Sequence, residues 1–137
     1  TQRFMFDEQI SLATRFDLPL IIHSVQATED VTDLLRSHSK SRGVIHAYSG
    51  SIQQAENLLK INFSFGFGNA LTNPQAYKLH DIVKFLPIES IVIETDDHKN
   101  PDELIQVAER VARIKKLTVD EVINQCDQNT RTIFNID

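Results

Sequence analysis

The sequence predicts an α/β domain built from parallel (β/α) units. Three observations carry this. Four short apolar runs recur along the chain, at 20–22, 44–45, 63–68 and 91–93. Each is followed by a segment whose apolar residues have helical spacing. The runs are short and apolar, which fits a parallel sheet covered by helices on its faces. Two architectures share this pattern, an open doubly wound sheet and a segment of a (β/α) barrel. Both bind ligands at the C-terminal ends of their strands.

The elements follow in order. Phe4, Phe6, Ile10, Leu12, Ala13 and Phe16 recur at roughly helical spacing, so residues 3–16 form an amphipathic helix. Pro19 follows it, and Leu20-Ile21-Ile22 is a strand ending at His23. Thr28, with acids in the next turn, starts a second helix that carries Val31, Leu34 and Leu35 inward. Ser41-Arg42-Gly43 breaks it, and Val44-Ile45 is a strand ending at His46. Ser51 caps a third helix running to Leu59. Phe63 to Gly68 is the third strand. Asn73-Pro74 opens a fourth helix, since proline is accepted in a first turn, and Pro87 ends it. Ile91-Val92-Ile93 is the fourth strand. Pro101 opens a fifth helix, and the capping box Thr118-Val119-Asp120-Glu121 opens a sixth. The tail from Thr130 to Phe134 is helical as well.

A chain of 137 residues is one domain, 1–137, with no linker or repeat to divide it. No apolar run approaches the ~20 residues of a membrane span. The start, TQRFMFDEQ, lacks the basic-then-apolar layout of a signal peptide. With no initiator Met, a processed or partial chain is expected. Cys126 is the lone cysteine, so no internal disulfide forms and a reducing cytoplasm is the simplest home. The net charge of −5 argues against general coating of nucleic acid, but not against an enzyme whose contacts are local or metal-borne.

Three of the four strands end in a metal-ligand type: His23, His46 and Asp96. Parallel strands put these ends on one rim, where residues distant in sequence converge. Imidazole with carboxylate suits a divalent cation such as zinc or manganese. The bland alternative is three polar residues closing three strands. Glu94 lies two positions before Asp96 on the same strand face, as an acid supporting the ligand or packing beside it. Ser49-Gly50-Ser51 leads into a helix N-terminus, which favours an anion such as phosphate; a plain N-cap is the alternative. Tyr48 stacks on a base or sugar, or packs. His38 and His80 read as surface residues, and Cys126 as packing.

These residues resemble a known family. LPLIIHS at 18–24, GVIHAYSGS at 43–51 and IVIETD at 91–96 are similar to motifs of the TatD-like metal-dependent hydrolases of the amidohydrolase superfamily. The opening QRFMFDEQISLA and the tail TVDEVINQCDQNTRTIFNI resemble the same family. The resemblance covers the chain in order, but corresponds to the second half, strands five to eight, of a TIM-type (β/α)8 barrel. The family's H-x-H on the first strand and its Glu on a middle strand have no counterpart here. By this resemblance His23, His46 and Asp96 are metal ligands. Asp96 also orients or deprotonates the attacking water; Ser49 and Gly50, ahead of the helix N-terminus, are the substrate-binding candidates. A complete site would use two divalent ions (zinc, magnesium or manganese), of which this chain supplies part of the ligands.

The implied function is a deoxyribonuclease that cleaves phosphodiester bonds, with DNA as substrate, no membrane partner, and self-association or a missing N-terminal half. The alternatives are a non-catalytic module derived from such a barrel, a deacylase of the same superfamily, or an open-sheet binding domain. Two departures from the family bear on this. Val25 stands where the family usually has Arg, removing a phosphate contact. Asp97-His98-Lys99-Asn100-Pro101 follows Asp96 at once, so a loop near 96–98 is expected to be deleted or missing.

Overall fold

Strands Leu20–His23 (β1), Gly43–His46 (β2), Phe63–Phe67 (β3) and Ile91–Ile93 (β4) form one parallel sheet in chain order. The structure, a computed structural model, describes residues 2–23, 28–38, 41–95 and 100–135. Helices Gln2–Arg15 (α1), Thr28–Arg36 (α2), Ile52–Leu59 (α3), Tyr77–Phe85 (α4), Pro101–Lys115 (α5) and Val119–Phe134 (α6) complete it, with 3-10 turns at Asn69–Thr72 and Ile88–Ser90. A helix follows every strand, as parallel pairing requires.

The register sets the faces. Ile22, Ile45, Phe65 and Ile91 are level across the four strands. All four are buried and belong to one core cluster, to which the helices contribute Leu35, Leu58, Val83, Val107 and Val111. Side chains alternate along a strand, so Ile21, Val44, Ser64, Gly66 and Val92 occupy the other face. Val44 and Val92 lie outside the core cluster. Ile21, level with Val44, is 59% exposed. One face of the sheet is therefore covered by helices, and the other carries the strand-end residues described below.

The local signals explain most boundaries. Ser51 and Gln54 form a reciprocal capping box on α3, and Thr118 and Glu121 another on α6. Asn100 accepts from the N–H of Asp102 ahead of Pro101, and α5 ends at Lys116 in the left-handed conformation. The expected tail helix is the end of α6, unbroken over sixteen residues. Among the described residues no helix is long and apolar enough to cross a membrane.

Two expectations are corrected. The fourth helix begins at Tyr77, not at Asn73-Pro74. Asn73 instead accepts a 2.9 Å hydrogen bond from the N–H of Gln75, a side-chain turn that competes with helix. Among the described side chains of α1, Ile10 and Ala13 are buried and Leu12 is 53% exposed, and Phe16, just beyond the helix, is 62% exposed. The side chains of Phe4 and Phe6, and the capping role expected of Thr28, lie outside the described residues.

Cys126 is buried in α6, consistent with packing. Burial pushes its thiol from 9.0 up to about 12. The unfolded thiol ionises first, so between those values the folded state holds the extra proton and stability falls as pH rises. Burial also raises the hydroxyl of Tyr48, which adds to the loss at higher pH. Urea unfolding should show stability lower by on the order of 1 kcal/mol at pH 10 than at pH 8 from the thiol alone. Cys126→Ala should shrink that difference; an unchanged difference would contradict this account.

Candidate metal centre

The site begins with the register. His23 and His46 are the last paired residues of β1 and β2, so the sheet sets them side by side. Their ring centroids are 4.3 Å apart and the planes are inclined at 57°. His23 is exposed and His46 half-buried. The two imidazoles come together although 22 residues separate them, because both strands run the same way.

Glu94 joins them from β4. Its N–H donates to the carbonyl of Phe67 at 2.9 Å, which extends the β3–β4 ladder past Ile93. Its carboxylate lies over Gly66, where a Cβ would come within 2.6 Å of Oε2. A larger residue there would push the carboxylate aside. Oε2 contacts Nδ1 of His46, and Oε1 accepts the N–H of Ala47 at 3.0 Å. Ala47 itself is left-handed, with φ 52°. A small cavity of about 150 Å³ is lined by His46, Ser49, Gly66, Phe67, Gly68 and Glu94.

The other expected residues are distributed as follows. Asp96, Asp97, His98 and Val25 lie outside the described residues, as does the expected loop break near 96–98. Ser49 is exposed beside the rim. The amide of Ser51 and that of Gln54 are both taken by the α3 capping box, so two donors expected for an anion are engaged. Tyr48 packs and does not stack: it is 2% exposed, meets Phe65 edge-on at 5.0 Å, and donates its hydroxyl hydrogen to Ser51 O. His80 is half-buried, with a ring nitrogen 3.0 Å from Leu71 O. Among the described residues no three His, Cys, Asp or Glu form a set that could hold a metal ion.

The residues present nonetheless fit a divalent cation. Two neutral imidazoles are good ligands, and ligating histidines typically give their second nitrogen to a carboxylate. His46 has that arrangement, and the glycine beneath Glu94 makes space for it. The sequence marks Glu94 only as an acid at the end of β4, two positions before Asp96. Its contact with His46 had no sequence signal, because it depends on β3 lying between β2 and β4.

The chain belongs to the TatD related DNase family, which matches residues 1–135. It is 33% identical to YjjV of Escherichia coli K12, named an uncharacterized metal-dependent hydrolase, over 98% of this chain and 57% of that protein. The crystal structure of the same TatD homologue superposes with a TM-score of 0.89 at 31% identity, covering 99% of this chain and 57% of that one. It is 26% identical to human TATDN2, named a 3'-5' RNA nuclease, over 98% of this chain and 20% of that protein. The α/β fold with a four-stranded parallel sheet is thus the fold of TatD homologues, and the chain spans little more than half the length of YjjV.

Proposed function

We propose that this chain carries part of the active site of a metal-dependent hydrolase that cleaves phosphodiester bonds in nucleic acid, as a TatD-like deoxyribonuclease. The observation that carries the reading is the imidazole pair on adjacent parallel strand ends, one member of it held by a carboxylate. His23, His46 and Asp96 hold the cation, and a complete site takes two (zinc, magnesium or manganese). When bound, such a cation polarises a phosphoryl oxygen and lowers the pKa of water.

The chain's own residues do the rest. Asp96, which follows β4, orients the attacking water and accepts its proton. Ser49 and Gly50 bind the phosphate flank of the substrate; Ser49 lines the cavity beside His46. DNA is the leading substrate, supported by the family's description as DNases. RNA is the second, supported by the name of the human relative. The lone cysteine fits the cytoplasm.

In this reading residues 1–137 are one domain, strands five to eight of a (β/α)8 barrel. The remaining ligands come from strands that join at the free edges of β1 and β4, supplied by an N-terminal half or a second copy. Exposed Leu18 and Ile21 beside the β1 edge support such a junction.

Calorimetric titration of the chain with zinc and with manganese tests the reading. Binding should weaken in His23→Ala and in His46→Ala by at least the roughly 10–100-fold that supporting partners carry. No binding by the parent chain, or binding untouched by both substitutions, would sink it and leave a non-catalytic module.

A further inference from the structure

We propose that Glu94 is a positioning residue that fixes the tautomer of His46, so that Nε2 is the nitrogen left to ligate. The inference rests on the reading of His46 as a metal ligand and concerns how it is prepared. A carboxylate oxygen can only accept a hydrogen bond. Oε2 contacts Nδ1 of His46, so Nδ1 must donate and must carry the ring's proton. In the neutral ring the free lone pair is then on Nε2.

The geometry goes beyond a simple ion pair, which needs one oxygen and tolerates rotation. Here the second oxygen accepts from the backbone of the very next residue, Ala47, at 3.0 Å. One carboxylate thus holds the side chain of residue 46 and the main chain of residue 47. Its own position is set from two sides. The N–H of Glu94 is in the β3–β4 ladder, and the missing Cβ of Gly66 leaves room for the carboxylate. No other described residue hydrogen-bonds Nδ1 of His46 in place of Glu94.

Glu94→Gln is nearly isosteric and tests the role directly. An amide has one accepting oxygen and one donating nitrogen. The N–H of Ala47 demands the oxygen, which turns the NH2 group toward Nδ1. Nδ1 must then accept, and the proton moves to Nε2. Long-range 1H–15N NMR on the metal-free 137-residue chain, at mildly alkaline pH, reads the tautomer. The parent should show His46 protonated on Nδ1 and Glu94→Gln should show it on Nε2. Zinc affinity by calorimetry should fall roughly 10–100-fold with the change. Gly66→Ala presses on the carboxylate from the opposite side and should weaken zinc in the same sense without altering its chemistry.

A parent His46 protonated on Nε2 overturns the inference, and needs no variant to be seen. So does an unchanged tautomer and affinity in Glu94→Gln. His46→Ala separates the two levels. If it weakens zinc while Glu94→Gln changes nothing, only the positioning role fails. If it leaves zinc binding intact, the ligand reading fails and takes this role with it.

Discussion

Replacing Gly43 with alanine will split the sheet at its first seam. A Cβ on Gly43 would lie 1.9 Å from the carbonyl oxygen of Leu20 and 2.7 Å from its carbonyl carbon and nitrogen. All three are backbone atoms, so no rotamer relieves the clash. Leu20 and Gly43 are the first pair of the β1–β2 register, and the N–H of Leu20 donates to Arg42 O at 2.8 Å. The strand must move away and take Ile21, Ile22 and His23 with it. Urea unfolding should show a loss on the order of 3–5 kcal/mol, the range of core disruption or backbone strain. Zinc binding should weaken too, because His23 and His46 close the same register. A loss below about 1 kcal/mol would mean that β1 is held by something other than this pairing.

Asn129→Asp will be nearly as damaging, although it changes one atom. Asn129 is buried in α6, and its Nδ2 donates to Ile88 O and Ile91 O at 2.8 Å each. Its Oδ1 accepts from Nε2 of Gln125 at 2.9 Å. This amide ties α6 to the start of β4. An aspartate has no donor to offer and sets an oxygen against two carbonyl oxygens. Each buried acceptor left unpaired costs about 1–3 kcal/mol, so a total of about 3–5 kcal/mol is expected. Asn129→Leu removes the donors without adding repulsion and should lose less. Thermal unfolding at neutral pH should rank the three Asn, Leu, Asp. An aspartate variant as stable as the parent would show that the two carbonyls are satisfied otherwise.

Much of this architecture was legible because parallel strands announce themselves locally. The four apolar runs match the four strands to within about a residue, and a strand end is a position that sequence order alone can name. His23 and His46 could therefore be paired without knowing the fold. What stayed hidden depends on contacts between distant residues or on competing turns. Asn73-Pro74 matches a helix start, but the side chain of Asn73 takes the Gln75 amide and delays α4 to Tyr77. The apolar spacing of the first helical segment includes Leu12 and Phe16, both of which remain largely exposed. Asn129 was visible as part of a tail motif, but its reason, two carbonyls at the foot of β4, was not. Glu94 was visible as an acid at the end of β4, yet its partner could not be named until the strand order was known.

The grip of Glu94 on residues 46 and 47 has a consequence in time. It reaches back 48 positions to His46 and 47 to Ala47. A ribosome adding about 5–20 residues per second finishes β2 some seconds before Glu94 exists. Throughout that interval the carboxylate that holds the His46 ring and the Ala47 amide is absent, so this corner of the rim takes its final shape only when β4 docks on β3.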